Sequence, residues 1–216
     1  MVIELVGPAG SGKSTLAQAL CRRHAALRGP MSLWGQPRKA LLASALRLVP
    51  YWLSAARHGY APQLEAFTHM MRLDAMRESV DRAATESPVL LDEGPIFGLG
   101  WLEVFFPANG DRLARAWRER MLREWANRID LVVMLDASNP VLAERIQTRE
   151  KPHDVKHRAP PEIYAFTERY RRALTGLVES LDAVGVSICR LATDDHHHES
   201  AAALVGEHLE TAPYVE

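Results

Sequence analysis

Nine residues near the amino terminus decide the fold, and from position 7 to position 15 they read Gly7-Pro8-Ala9-Gly10-Ser11-Gly12-Lys13-Ser14-Thr15. This stretch matches the pattern G-x-x-x-x-G-K-[ST] at every fixed position. It follows Val2 to Val6, a β-branched run that predicts a strand, and it leads into Ser14 to Arg28, where leucines recur at helical spacing. Because glycines let the backbone N–H groups of the loop point inward, and the helix directs its positive end at the same point, the stretch predicts a phosphate-binding loop.

Two side chains of this loop predict which ligand it holds. The Lys13 ammonium can reach the β- and γ-phosphates of a nucleoside triphosphate, and the Ser14 hydroxyl is a ligand suited to Mg²⁺. We therefore expect ATP with Mg²⁺ as the cofactor, bound by residues 7–15. We also expect Lys13 to be catalytic, because its charge stabilises the phosphoryl group during transfer.

The rest of the chain alternates between apolar strand patterns and helical patterns. Further strands are predicted at 31–34, 89–91, 131–135 and 186–191. Further helices are predicted at 38–57, with an interruption at Pro50, and at 64–84, 111–127, 163–181 and 200–209. Asn139 is expected to cap another helix, which starts after 131–135. This alternation predicts the α/β class, with a parallel sheet between two layers of helices, and we treat residues 1–216 as one domain.

Composition narrows the classes of partner. The formal net charge of −1 argues against nucleic acid as a partner, and 47% hydrophobic residues predict a folded chain. The most apolar stretch, 40–56, contains Arg47 and Pro50 and is shorter than the roughly 20 residues that a membrane-spanning helix needs. With two distant cysteines and no leader pattern, we expect a cytoplasmic protein without a membrane partner.

An acidic pair, Asp92-Glu93, follows the predicted strand 89–91. In a parallel sheet, the end of that strand lies beside the phosphate loop, where ligands collect. Asp92 is expected to hold Mg²⁺, and Glu93 to contact the phosphoryl acceptor and take its proton as the base. The alternative for either residue is that it only caps the following turn.

A basic segment, 145–160, is the second group of candidates. Arg145 and Arg149 are four residues apart, which would place them on one face of a helix. A mobile cationic segment that closes over phosphates would exclude water and neutralise developing charge, so both arginines are candidate catalytic residues of a lid. A solvated basic face is the alternative.

Residues 35–86 form a long helical insertion between the second and third predicted strands. Arginines such as Arg38 and Arg72 suit an anionic group on an acceptor, and the aromatic rings of Trp34 and Trp52 suit a flat base. The insertion therefore predicts an acceptor pocket. Taken singly, an arginine in such a segment is ordinarily a surface charge, and only as a group do these arginines indicate the pocket.

Taken in order, these segments resemble the P-loop nucleoside and nucleotide kinases, most closely the thymidylate kinase-like group. Residues 7–15 are similar to the phosphate loop of that family, and Arg72 stands 20 residues before Asp92, about where those kinases carry an acceptor-binding arginine. The resemblance implies a five-stranded parallel sheet in the order 2-3-1-4-5 with a helical lid.

The same resemblance assigns roles in the carboxyl-terminal half. Arg145 and Arg149 are similar in place to the lid arginines, so Arg145 is expected to contact ATP. Thr193 follows the last strand, where the family has a loop that contacts adenine. A homodimer formed through the helix at 111–127 is implied only by analogy with the family.

Two segments depart from the thymidylate kinase pattern. Thymidylate kinases usually carry an Asp-Arg pair where this chain has Asp92-Glu93, whereas deoxynucleoside kinases use a glutamate near that point as the base. Residues 35–38 also do not match the acceptor loop of thymidylate kinases. The expected activity is therefore transfer of the γ-phosphoryl group of Mg-ATP to a nucleoside or a nucleoside monophosphate. The alternatives are a kinase of a sugar or alcohol, and a switch protein that binds a nucleoside triphosphate.

Overall fold

The computed structural model describes residues 1–57, 63–108, 111–194 and 198–211. Its five strands are β1 (Val2–Val6), β2 (Arg28–Met31), β3 (Val89–Asp92), β4 (Leu131–Asp136) and β5 (Ser187–Ala192). They form one sheet in the order β2-β3-β1-β4-β5, and every neighbouring pair is parallel. This confirms the predicted class and strand order.

The described part of the chain contains eight α-helices. They are α1 (Lys13–Arg23), α2 (Arg38–Arg57), α3 (Leu64–Ala84), α4 (Pro95–Phe105), α5 (Arg112–Ala126), α6 (Asn139–Thr148), α7 (Pro160–Asp182) and α8 (His198–Thr211). A short 3-10 helix, Leu33–Gly35, follows β2. Among these helices, none is long and apolar enough to cross a membrane.

The register of the sheet places the phosphate loop beside the acidic pair. Central strand β1 is buried along its whole length, with Ile3 opposite Leu90 on one side and Leu131 on the other. Leu5 lies opposite Asp92, so β1 and β3 end at nearly the same level. Because the carboxyl ends of parallel strands share one edge of a sheet, the loop after β1 and the residues after β3 meet there.

Two apolar clusters cover the two faces of the sheet, which gives the three predicted layers. Buried members of the cluster that contains α3, α4, α5 and α7 include Leu73, Leu99, Trp125 and Leu174. Buried members of the cluster that contains α1 and α8 include Leu16, Leu20, Ala202 and Val205. Both clusters also take side chains from the strands, so the sheet is packed on both sides.

The region of β2 differs from its prediction. Helix α1 ends at Arg23 rather than continuing to Arg28, because His24 adopts an extended conformation. The second strand then begins at Arg28, three residues earlier than the predicted Met31. Pro50 also fails to interrupt α2, which continues through it. Its side chain is exposed, so its ring meets solvent rather than a packed neighbour.

Helix α4 was not predicted. Its residues are almost entirely apolar, so it lacks the polar face that marks an amphipathic helix, and it contains two glycines. Those glycines permit close packing: a Cβ at Gly98 would lie 2.6 Å from Leu33 Cδ1, and one at Gly100 would lie 2.8 Å from Leu174 Cδ2. The Asn139 prediction was also wrong, because Ser138 is the N-cap of α6 and Asn139 is its first residue.

The two segments with predicted functions are organised as follows. Residues 35–86 contain α2 and α3, and residues 58–62 of that insertion lie outside the described part of the chain. Residues 145–160 start in the last turn of α6 and end at the start of α7, with turns between the two helices.

Candidate functional site

The phosphate loop joins β1 to α1 through glycines that no other residue could replace easily. Gly7 packs against β4 so closely that a Cβ would lie 2.2 Å from the Leu135 carbonyl oxygen. Gly10 and Gly12 have φ angles of 84° and 90°, in the region that favours glycine. Gly12 is the N-cap of α1, so the positive end of that helix faces into the loop.

Lys13 is the first residue of α1, and its ammonium lies against the loop. Its Nζ donates to the carbonyl oxygens of Gly7 and Pro8 at 2.9 and 3.0 Å. Burial lowers the pKa of Lys13, while the charges of Asp92 and Glu93 raise it. The ammonium is therefore held inside the loop, beside the acidic pair, by carbonyl groups that a phosphate could replace.

Ser14, near the end of the phosphate loop, lies next to Asp92, the last residue of β3. The Ser14 hydroxyl donates to Asp92 Oδ2 at 2.8 Å. The other carboxylate oxygen, Asp92 Oδ1, is buried and has no hydrogen-bond partner in the described part of the chain. A hydroxyl and a carboxylate with an unsatisfied oxygen are the hard oxygen donors that Mg²⁺ prefers, so these two residues fit the predicted metal site.

Glu93 stands in a strained backbone conformation next to Asp92. Its φ of 59° makes it the one described non-glycine residue with a positive φ, which is uncommon for such a residue. The indole N–H of Trp34 donates to Glu93 Oε2 at 2.6 Å, and the backbone N–H of Leu33 donates to the Glu93 carbonyl at 3.1 Å. The residues that follow β2 therefore fix both the backbone and the side chain of Glu93.

Arg145 and Thr193 contact the phosphate loop through its backbone carbonyl groups. The Arg145 guanidinium donates to the Thr193 carbonyl at 2.7 Å, to Thr193 Oγ1 at 3.1 Å and to the Gly10 carbonyl at 3.3 Å. Thr193 is buried, and its hydroxyl lies 3.2 Å from the Ser11 carbonyl oxygen. Both residues thus contact the phosphate loop, and their predicted contacts with ATP remain predictions.

Arg149 does not share a helix face with Arg145, because α6 ends at Thr148 and Arg149 is extended. That part of the prediction was wrong. The charge of Arg149 nevertheless lowers the pKa of Lys13, so its guanidinium lies near the phosphate loop. Burial lowers the pKa of His153, and the charge of Arg149 lowers it further.

On the acceptor side, Arg72 reaches the same site through Trp34. The guanidinium carbon of Arg72 lies 4.5 Å from the centre of the Trp34 ring, within the range of a cation–π contact. Arg38 is exposed in the first turn of α2, and no hydrogen bond or ion pair joins it to other site residues within the described ranges. Arg72 therefore contacts a residue of the site, and the predicted acceptor roles of Arg72 and Arg38 stay predictions.

Two positioning residues were missed by sequence reasoning. The Arg171 guanidinium on α7 donates to the two carboxylate oxygens of Asp136, at the end of β4, at 2.6 and 3.1 Å. It also donates to Asn139 Oδ1 at 3.0 Å. The hydrogen bonds that the Arg171 side chain donates to Asp136 raise the pKa of Arg171, and both residues line a cleft of about 460 Å³. Glu4 in β1 was the second omission; a lone acid in an otherwise apolar strand was the available signal.

Comparisons with known proteins agree with this geometry. The family model described as "AAA domain" matches residues 2–173. An adenylate kinase from Synechococcus sp. (strain CC9311) is 29% identical over 190 residues, covering 83% of this chain and 88% of the relative. A deoxyadenosine kinase from M. mycoides is similar in fold with a TM-score of 0.57 at 14% identity, covering 98% of this chain and 100% of the other.

A shikimate kinase from Bacteroides thetaiotaomicron is a second structural neighbour, with a TM-score of 0.54 at 18% identity over 97% of this chain and 98% of the other. These structural likenesses concern the fold, while the family match rests on the sequence of most of the chain. The chain belongs to the AAA domain family, and it is similar in sequence to an adenylate kinase and in fold to two other kinases.

Proposed function

We propose that this protein transfers the γ-phosphoryl group of Mg-ATP to a nucleoside or a nucleoside monophosphate. The observation that carries the proposal is the position of the Asp92-Glu93 pair. Asp92 accepts a hydrogen bond from Ser14 on the phosphate loop, and Glu93 accepts one from Trp34. The ring of Trp34 also contacts the Arg72 guanidinium. One turn of the chain therefore adjoins both the ATP side and the acceptor side, as direct transfer between two substrates requires.

On the ATP side, the loop residues bind the triphosphate through backbone N–H groups and the Lys13 ammonium. When phosphates occupy the loop, Lys13 exchanges the carbonyl groups of Gly7 and Pro8 for the β- and γ-phosphate oxygens. Ser14 and Asp92 would hold Mg²⁺, which would supply positive charge to stabilise the phosphoryl group during transfer. Arg145 keeps the loop in shape, and Arg149 adds positive charge beside Lys13.

On the acceptor side, Glu93 acts as the base for an acceptor hydroxyl. The acceptor oxygen forms its bond to the γ-phosphorus while the bond from that phosphorus to the β,γ-bridging oxygen breaks. Glu93 takes the hydroxyl proton, and ADP leaves with the bridging oxygen. A monophosphate acceptor already carries an ionised oxygen, so with it Glu93 would only orient the acceptor.

The experiment is ADP release with Mg-ATP across deoxynucleosides, nucleoside monophosphates, sugars and simple alcohols. Lys13→Ala is expected to lower turnover at least ~100-fold, the size of losing one preorganised charge contact. Arg82→Ala removes a cation from an exposed ion pair with Glu78 and serves as the matched control, with turnover unchanged.

Three outcomes separate the candidate activities. Stimulation by one nucleoside or nucleotide class supports the proposal and identifies the acceptor. Stimulation by sugars or alcohols alone replaces it with a non-nucleotide kinase. If ATP binds and no compound stimulates ADP release, a nucleotide-dependent switch becomes the better account.

A further inference from the structure

The Trp34 side chain contacts both Glu93 and Arg72, two residues assigned to the acceptor. Its indole N–H bonds Glu93 Oε2 at 2.6 Å, and the Arg72 guanidinium carbon lies 4.5 Å from its ring centre. The ring of His69 meets it nearly at a right angle, with centroids 5.4 Å apart. Three neighbours therefore fix the orientation of this indole.

Despite these contacts, Trp34 remains 52% exposed. Because much of this ordered ring is in water, its burial contributes little to the stability of the fold. The ring does offer a ligand a flat apolar surface at small entropic cost, since it is already ordered. Such an ordered, open ring is the kind of surface on which a planar ligand stacks.

The support behind Trp34 is also rigid. His69 is buried and stacks on Trp101, with ring centroids 3.8 Å apart and planes 8° from parallel. Burial lowers the pKa of His69 to about 4, with a further contribution from the charge of Arg72. At neutral pH the imidazole is therefore uncharged, and Arg72 is the charged group against the indole.

The hydrogen bond from Trp34 also determines how Glu93 is presented. It occupies Oε2, and within the described part of the chain Oε1 has no hydrogen-bond partner, so Oε1 can accept an incoming hydroxyl. Glu93 has a positive φ, a conformation that its surroundings must impose. Removing the indole N–H would leave the carboxylate free to rotate away from its productive orientation.

We propose that Trp34 is a positioning residue for Glu93 and, at the same time, the stacking surface for a planar ring of the acceptor. This inference rests on the proposed kinase function and identifies the side chain that would bind the base of its acceptor. The acceptor is then a hydroxyl or phosphate compound that carries an aromatic base, with the base on Trp34 and the reacting oxygen at Glu93.

The test compares Trp34→Phe with Trp34→Ala in the full-length protein at saturating Mg-ATP. Deoxyadenosine and AMP serve as acceptors with a ring, and glycerol as an acceptor without one. Phenylalanine keeps a flat ring and loses the N–H donor, so kcat is expected to fall roughly tenfold or more while KM for the ring acceptor stays within about threefold. Alanine removes both, so the same loss in kcat comes with a KM raised about tenfold or more.

Leu64 supplies the control. It is 77% exposed at the start of α3, the helix that carries Arg72, and it has no assigned role in either substrate site. Leu64→Ala removes another exposed apolar side chain of the same insertion and is expected to leave both kinetic constants near the wild-type values. Comparing thermal midpoints of all three variants shows whether a kinetic change follows a loss of folding, and the phenylalanine variant keeps the test meaningful if alanine unfolds the site.

Each outcome bears on a different part of the inference. An unchanged kcat in Trp34→Phe overturns the positioning role, and an unchanged KM in Trp34→Ala overturns the stacking role. If glycerol is the better wild-type acceptor, the aromatic substrate class is wrong while the kinase stands. If neither deoxyadenosine nor AMP is an acceptor, the nucleoside or nucleoside monophosphate that stimulates ADP release replaces them in this comparison. If wild-type protein binds ATP but no nucleoside or nucleoside monophosphate stimulates ADP release, the proposed nucleoside or nucleotide kinase function itself fails.

Discussion

Glu4, in the centre of β1, closes the amino-terminal end of α4 by accepting the backbone N–H of Ile96 at 2.9 Å. The same carboxylate accepts the N–H of Phe97 at 3.0 Å, and it is fully buried. A Cβ at Gly94 would lie 2.8 Å from Glu4 Cδ, so the turn after Glu93 rests directly on this side chain. An acid in the middle of the sheet therefore supports the turn after Glu93, the residue proposed as the base for the acceptor.

This arrangement predicts that stability depends on pH through Glu4. Burial raises the pKa of Glu4 from 4.5 to about 8, against the lowering effect of the two N–H bonds. Between those values the folded protein holds a proton that the unfolded chain has lost. The free energy of unfolding therefore falls as pH rises, by at most about 1.4 kcal/mol per pH unit, and the contribution is lost above a pH of about 8.

The measurement is urea unfolding of wild-type protein and Glu4→Gln at pH 5.5 and pH 7.5. Glutamine does not titrate, and the variant keeps every histidine, so the difference between the two slopes isolates Glu4. From pH 5.5 to pH 7.5, the free energy of unfolding of wild type is expected to fall by about 2–3 kcal/mol more than that of the variant. Equal slopes would show that Glu4 has the same protonation state in the folded and unfolded chains.

Glu4 and α4 also show which contacts cannot be predicted from local sequence patterns. Local patterns suffice for the phosphate loop and for strands such as Leu131–Asp136, because spacing and burial depend on neighbours in the chain. Helix α4 is stabilised by partners far away in sequence, including Glu4, 92 positions before Ile96. A pattern of polar and apolar residues cannot report such a partner, because the contact exists only after the sheet has formed.

The proposed metal ligands predict a change in Mg²⁺ dependence. Asp92→Asn keeps the shape of the side chain and removes its charge, and Ser14→Ala removes the hydroxyl that bonds Asp92 Oδ2. Each variant is expected to need roughly tenfold more Mg²⁺, or more, for half-maximal ADP release, since a hard cation loses an oxygen ligand. The measurement is a Mg²⁺ titration of ADP release at fixed ATP.

Asp81→Asn is the control for this titration, because Asp81 pairs with Arg128 at the surface. Its Mg²⁺ dependence is expected to match that of wild type. If Asp92→Asn also matched wild type, the Asp92 carboxylate would not be a ligand, and its hydrogen bond with Ser14 would be only a link between β3 and α1.

Arg145 and Thr193 are expected to act as a unit in ATP binding. Thr193→Val keeps the branched shape and loses the hydroxyl that Arg145 bonds at 3.1 Å, while Arg145→Lys loses the planar fork. In a double-mutant cycle on kcat/KM for ATP, the two changes are expected to deviate from additivity by about 1 kcal/mol. Ser180→Ala, at an exposed residue of α7, should combine additively with Arg145→Lys.

The sequence identified Arg145 and Thr193 as candidates, but only the family resemblance assigned them contacts with ATP. Spacing predicted that Arg145 and Arg149 share a helix face, and the end of α6 at Thr148 separates them. Helix ends depend on capping and on the following turn, which a spacing of four residues does not encode. The direction of the Arg145 side chain toward Thr193 depends on β5, and this contact spans 48 positions.

A final prediction concerns Asp74, which joins the two helices of the insertion. Asp74 on α3 is buried and pairs with Arg47 on α2 at 2.7 Å and with Arg77 on its own helix. Asp74→Ala would leave the Arg47 guanidinium without its carboxylate and Arg77 with Glu124 as its remaining partner. Breaking a pair in this way costs about 3–5 kcal/mol when the pair is buried. Because Arg47 is half exposed, water can recover part of this energy, and the lower end of that range is expected.

The control is Glu78→Ala on the same helix, which breaks an exposed pair with Arg82 at 3.0 Å and is expected to cost less than about 0.5 kcal/mol. Urea unfolding of both variants measures the difference. Acceptor KM should rise in Asp74→Ala, since Arg72 lies two residues from Asp74 on α3 and depends on the position of that helix. A large loss of stability with an unchanged acceptor KM would show that Asp74 holds the helices together without shaping the acceptor site.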